Sequence, residues 1–199
     1  MLISFSGIDG CGKTTFALEV VEFLKTRGLK ARCLRVADLA ISRRIGNLLS
    51  KASGKSAQRA ASSSGAVFAF FRKATLFFDV LLFWVVHLHA KASRTTLVCD
   101  RYFFDLIVHL NYLGISTNLF EKVLLTVAPT PDIAFLMIVP AEVAVTRDLD
   151  FSPDFYEKKQ LHYMRLFERI RAVKIESKSL DSTSKQVQKE VVAHLGQNK

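Results

Sequence analysis

The run Gly7-Ile8-Asp9-Gly10-Cys11-Gly12-Lys13-Thr14 follows directly on the apolar stretch Leu2-Ile3-Ser4-Phe5, and it leaves the chain few folds to choose from. A strand that ends in a glycine-rich turn and opens a helix points several backbone N–H groups, plus the positive end of the helix dipole, at one spot. Polyphosphate fits that spot. The glycines let the backbone approach closely, Lys13 supplies a charge for the outer phosphates, and the Thr14 hydroxyl suits Mg²⁺. Behind the loop, Phe16, Val20, Phe23 and Leu24 recur at helical spacing, a context that a chance glycine turn lacks. The motif predicts a nucleoside triphosphate site that also holds Mg²⁺.

Apolar runs and helical patterns then alternate along the chain. Strands are predicted over 2–6, 31–36, 96–99, 133–138 and 173–177, with helices over 13–27, 41–51, 66–92, 103–113, 118–127, 155–171 and 184–195. Pro129 and Pro131 end the helix before the fourth strand, and the Ser-, Ala-, Gly- and Lys-rich stretch from Ser50 to Gly65 reads as a mobile connection. Short, uniformly apolar strands separated by helices imply a parallel sheet covered on both faces, a three-layer α/β sandwich with five strands. Ligands of such a sheet bind at the carboxyl ends of its strands, where the glycine loop already lies. At 199 residues one domain is the expectation.

Charge and cysteine content narrow the setting. The net charge is +10, and between Lys25 and Arg59 ten Lys or Arg residues face a single acid, Asp38. A basin for anionic substrates, a nucleic-acid stripe and a face for anionic lipid all need such a surplus. No helix-turn-helix, zinc-finger or RNA-binding signature accompanies it, which argues against nucleic acid. Cys11, Cys33 and Cys99 are widely spaced without a metal-ligand pattern and read as reduced thiols of a cytoplasmic protein. Met1 leads straight into the first strand, with no signal-peptide pattern.

The segment from Ala74 to Ala90 is 17 residues of mostly apolar character, interrupted by Asp79. That is near the lower limit for a membrane span, and a span would cut the parallel sheet in two. A core or dimer-interface helix is the expectation. Trp84, with Arg72 and Lys73 nearby, keeps a peripheral membrane contact as the alternative.

A second chemical signal closes the third strand, Val98-Cys99-Asp100-Arg101-Tyr102. Asp100 falls beside the loop, where a carboxylate can hold Mg²⁺ through water, and Arg101 offers a fork of donors to a second anion. With Phe5-Ser-Gly-Ile-Asp-Gly-Cys-Gly-Lys-Thr-Thr15, Asp100-Arg101-Tyr102 and the run from Ala128-Pro-Thr-Pro-Asp132 to Val143-Ala-Val-Thr-Arg147, the chain resembles the thymidylate kinase family of nucleoside monophosphate kinases. The third motif resembles that family's strand, proline turn and helix leading into a lid, near 147–159 here. Residues 52–95 align poorly.

The resemblance implies the phosphate-loop nucleotide-kinase fold and transfer of phosphate from ATP to dTMP. It implies that the loop from Gly7 to Thr15 and Arg147 bind ATP, with Arg147 near the donor adenine, and that Asp9 orients the acceptor sugar. It further implies that Arg101 holds the acceptor phosphate and that Phe68 and Arg72, one helical turn apart, meet the acceptor base. Departures fall on the acceptor side. Where the family carries a Glu-Pro or Phe-Pro turn with a phosphate-holding arginine, this chain has Arg35-Val-Ala-Asp38, with Arg43 and Arg44 beyond. Phe103-Phe104-Asp105-Leu106 replaces a small-residue segment, and the lid, Asp148 to Asp154, is short and acidic, leaving Arg147, Lys158 and Lys159 as sources of lid charge. Two other readings compete: a kinase of a different phosphate or hydroxyl acceptor, presented at a membrane, and a non-catalytic nucleotide-binding module.

Overall fold

The structure, a computed structural model, describes residues 1–36, 65–114, 118–147, 151–177 and 179–197, without the side chains of 65–75 and 197. The helix expected over 41–51, Arg43, Arg44 and most of the Ser50–Gly65 connection lie outside the described residues, as do the side chains of Phe68 and Arg72.

Five strands form one sheet: β1 (Leu2–Ser6), β2 (Ala31–Leu34), β3 (Thr96–Asp100), β4 (Ile133–Ile138) and β5 (Val173–Glu176). Their order is β2-β3-β1-β4-β5 and every pairing is parallel. The central strand β1 is buried along its whole length, as is β3, which is why both read as unbroken apolar runs rather than alternating ones. Phe5 of β1 stacks on Phe135 of β4 with ring centroids 4.9 Å apart.

The helices are α1 (Lys13–Thr26), α2 (Gly65–Ala92), α3 (Phe103–Tyr112), α4 (Asn118–Val127), α5 (Ala141–Arg147), α6 (Pro153–Glu168) and α7 (Leu180–Gln197). Right-handed crossovers decide which side each takes. The step from β1 to β2 runs one way across the sheet and puts α1 on one face, where α7 joins it. The steps from β2 to β3, β3 to β4 and β4 to β5 all run the other way, so α2, α3 and α6 cover the opposite face. The direction reverses between β3 and β1, and the crevice there is the natural ligand position.

The second strand ends at Leu34 rather than 36 and the helix expected over 155–171 ends at Glu168, and two helix starts differ for local reasons. Helix α6 starts at Pro153 rather than 155, because proline presets the backbone of a first helical turn, so residues 153–159 of the expected lid are helical. Helix α7 starts at Leu180 rather than 184, where the Ser179 hydroxyl accepts from the Ser182 N–H at 3.3 Å.

The long apolar helix α2 has two characters. Leu76, Val80, Phe83 and Ala90 face the core, with Phe83 edge-on to Tyr102 and Phe103. Phe78, Leu81, Val85 and Leu88 are 55–65% exposed. Among the described residues no helix is long and apolar enough to cross a membrane.

Candidate active site

The carboxyl end of β1 runs straight into the glycine loop, and two of its glycines are dictated by geometry. Gly7 has φ +147°, and a Cβ there would lie 2.4 Å from the Met137 carbonyl oxygen of β4. Gly12, at φ +90°, turns the chain into α1, and a Cβ would strike the Phe16 ring at 2.9 Å. Only glycine lets the loop lie against β4 and enter the helix in one step.

Lys13 is the first residue of α1 and is 95% buried, since its relative exposure is 5%. Its ammonium donates to the carbonyls of Gly7 at 2.9 Å and Ile8 at 2.6 Å, and lies 3.6 Å from the Cys11 sulfur. The charge is thus held inside the curl of the loop. Thr14, next along, donates its hydroxyl to Asp100 Oδ2 at 2.8 Å, tying the start of α1 to the end of β3.

Asp9 collects the cations. Lys13 lies 3.8 Å from its Oδ1, Lys159 of α6 lies 3.6 Å from its Oδ2, and Arg101 donates to Oδ1 directly. Burial pushes the Asp9 carboxyl upward, but Lys13, Arg101 and Lys159 together outweigh it and hold the group below the usual carboxylate range. Burial works the other way on Lys159 and pulls its ammonium below the ordinary lysine value, despite Asp9. Arg101 itself sits at φ +70°, a left-handed backbone that L residues seldom take, and that turn carries its side chain back over the loop.

On the far side of the crevice Arg35, just past β2, donates to Asp100 Oδ2 from Nη2 at 2.7 Å and from Nε at 3.3 Å. The other oxygen, Asp100 Oδ1, is buried and has no hydrogen-bond partner among the described residues. A hydroxyl oxygen and a carboxylate with a spare oxygen are the hard donors Mg²⁺ takes through its waters, so Thr14 and Asp100 fit that ion.

Beside them opens a cleft of about 430 Å³ lined by Asp9, Gly10, Gly12, Lys13, Thr14, Thr15, Phe16, Arg101 and Arg147. Arg147, at the end of α5, donates to the Gly10 carbonyl at 3.2 Å. Ser177, Ser179 and Leu180, after β5, complete the wall. No motif marks them in the sequence; their one signal there is their place at the carboxyl end of a predicted strand. In the sequence Lys159 is one of several lid cations; nothing local distinguishes it from Lys158, whose side chain instead pairs with Asp154 at 2.7 Å on the surface. The loop, Asp100, Arg101, Arg35 and Arg147 are brought together; Phe68 and Arg72 fall in the first turns of α2, and their side chains lie outside the described residues.

A parallel sheet with a glycine loop at its switch point and an Asp-Arg pair on the adjoining strand defines a phosphate-loop kinase fold. The chain belongs to the thymidylate kinase family, whose sequence model matches residues 5–191. It is 28% identical over 207 aligned positions to a protein of Archaeoglobus fulgidus named probable thymidylate kinase, covering 100% of this chain and 98% of that one. A protein of the same name from Sulfurisphaera tokodaii is 30% identical over 73% of this chain and 67% of its own length. The thymidylate kinase of Pelodictyon phaeoclathratiforme is 26% identical over 92% of this chain and 84% of its own. Family and relatives support nucleotide kinase activity.

Proposed function

We propose that the protein transfers the γ-phosphoryl group of ATP to dTMP, giving dTDP and ADP. One observation carries the reading: Lys13, Asp9 and Arg101 line a single cleft, with Arg101 bonded to Asp9 and the Lys13 ammonium 3.8 Å from it, which gathers the charges for a donor and an acceptor phosphate at one place. The loop amides and Lys13 hold the donor's phosphates, with Arg147 towards its base. Arg101, with Arg35, receives the acceptor's phosphate, and Asp9 orients its sugar. Phe68 and Arg72 meet the acceptor base. Thr14 and Asp100 hold Mg²⁺, which when bound neutralises charge on the transferring group.

An acceptor phosphate oxygen attacks the γ-phosphorus in line, the new O–P bond forms, and the bond to the β-phosphate oxygen breaks. The attacking oxygen is already ionised, so no residue has to remove a proton. Alignment and charge therefore carry the rate. Lys159, already beside Asp9, supplies the positive charge from the lid helix that the acidic segment before it lacks. The enzyme acts in the cytoplasm as a homodimer, with the exposed apolar face of α2 as the contact.

Incubation with Mg²⁺-ATP and a panel of monophosphates, with Lys13→Ala as the blank, tests this. dTMP should gain a phosphate in preference to the others. A different preferred acceptor would favour the second reading, which the unusual Arg35-Val-Ala-Asp38 and Phe103-Phe104-Asp105 segments support. No ATP consumption with any acceptor would leave a nucleotide-binding module.

A further inference from the structure

Behind Arg101 lies a carboxylate that the reaction outlined above does not use. Asp105, the third residue of α3, is 8% exposed, and its neighbours Ser6 and Tyr163 are 0% and 2% exposed. Its Oδ2 accepts from the Ser6 hydroxyl at 2.7 Å and from the Tyr102 N–H at 2.8 Å. Its Oδ1 accepts from the Tyr163 hydroxyl at 2.8 Å.

A helix cap accounts for only one of these bonds. The Tyr102 N–H bond closes a capping box at the start of α3, a local arrangement that needs one carboxylate oxygen. The other two bonds reach 99 and 58 residues along the chain. Each donor sits beside a part of the cleft. Ser6 immediately precedes Gly7 of the loop. Tyr102 immediately follows Arg101, whose left-handed backbone needs its neighbours fixed. Tyr163 is four residues past Lys159, one turn along the same face of α6. A carboxylate that bonds donors from three elements and whose charge favours the charged forms of both Arg101 and Lys159 does more than cap a helix.

We propose that Asp105 is a positioning residue: by binding Ser6, the Tyr102 amide and Tyr163 at once, it sets Arg101 and the lid helix α6, with Lys159, in register with the phosphate loop. The proposal rests on the kinase reading for its effect on turnover, but its geometric part stands apart from it.

Tyr163→Phe removes one hydroxyl and leaves the cap intact. Turnover should fall about tenfold, the effect of misplacing a group that aligns the reaction, while the KM for Mg²⁺-ATP stays within about twofold. Asp105→Asn is the rescue. Its carbonyl oxygen can still accept from Ser6 and Tyr102 while its amide donates to the Tyr163 oxygen, so turnover should remain within about threefold of the parent, unlike Asp105→Ala. Amide hydrogen exchange supplies a second readout. In Tyr163→Phe, residues 101–105 and 156–163 should both exchange about tenfold faster, with residues 7–14 unchanged. Parent-like exchange in both segments overturns the inference, and so does parent-like turnover in Tyr163→Phe or an Asp105→Asn as impaired as Asp105→Ala. If the unmutated protein phosphorylates no acceptor, the kinase reading fails and the exchange result alone decides this one.

Discussion

The two sides of the cleft are built from different materials. The side proposed for the donor is main chain: glycines in left-handed backbone, a lysine folded into their carbonyls, and a helix start, all within residues 7–14. The facing side is made of side chains from separate elements, Arg35 after β2, Arg101 after β3 and Lys159 on α6, meeting at Asp9 and Asp100. A main-chain site has its shape decided by a few local dihedrals. A side-chain site has its shape decided by how distant elements pack, so it can change acceptor while the fold stays the same.

The largest effect should come from breaking the main-chain side. Gly7→Ala puts a methyl 2.4 Å from the Met137 oxygen, and neither strand β1 nor β4 can yield. A loss of about 3 kcal/mol in stability is expected, at the upper end of strained-backbone costs, together with loss of Mg²⁺-ATP binding. Urea unfolding and calorimetric titration would read both. Near-parent binding in that variant would mean the loop tolerates a different shape, and the contrast between the two sides would fail.

On the side-chain face, Lys159→Met should lower turnover by about tenfold or more, the scale of losing one charge-stabilising donor, with little change in Mg²⁺-ATP affinity. The pH profile sharpens this. Burial lowers the Lys159 ammonium below the ordinary lysine value of 10.5, so its charge is lost earlier as pH rises. Turnover should therefore decline on the alkaline side before an ordinary lysine would titrate. In Lys159→Arg, which stays charged throughout, that limb should move to higher pH. An unmoved limb would remove Lys159 from the chemistry.

This contrast also explains what could be read in advance. The five strands, the glycine loop and the Asp100-Arg101 pair are local patterns, and periodicity or spacing exposes them. Lys159 and Asp9 are 150 residues apart in the numbering, and no local rule separates Lys159 from Lys158 beside it. Only the packing of α6 across β4 and α3 turns one lysine inward and leaves the other outside. Asp105 is a similar case: in the sequence it marks only a departure from the family's small-residue segment, and its bonds to Ser6 and Tyr163 depend on tertiary structure alone.

A smaller effect follows from Asp9, where the two sides touch. Its carboxyl is held below its ordinary value of 3.8 in the folded protein, so the charged form is the favoured one. The stabilisation this brings is present in full above the unfolded value and fades as pH falls through the lower folded value. Unfolding curves of the parent and Asp9→Asn should accordingly differ most near neutral pH and converge in acid below 3.8. A constant difference across that range would mean the three surrounding cations do not favour the ionised carboxylate.

The smallest change in stability is expected on α2, which sharpens the comparison from outside the cleft. Its buried face, Leu76, Val80 and Phe83, is fixed by the core, while Phe78, Leu81, Val85 and Leu88 form an apolar stripe open to solvent. Leu81→Glu replaces a side chain that is 59% exposed, so the monomer should lose no more than about 0.5 kcal/mol. If a second copy covers the stripe, the same substitution places a charge in an apolar contact and should shift sedimentation from dimer to monomer. If lipid covers it, sedimentation stays unchanged and binding to anionic vesicles falls instead. Because the stripe lies on the helix that also carries Phe68 and Arg72, a dimer contact there would steady the acceptor side, and the monomeric variant should show a raised KM for the acceptor with the KM for Mg²⁺-ATP unaltered.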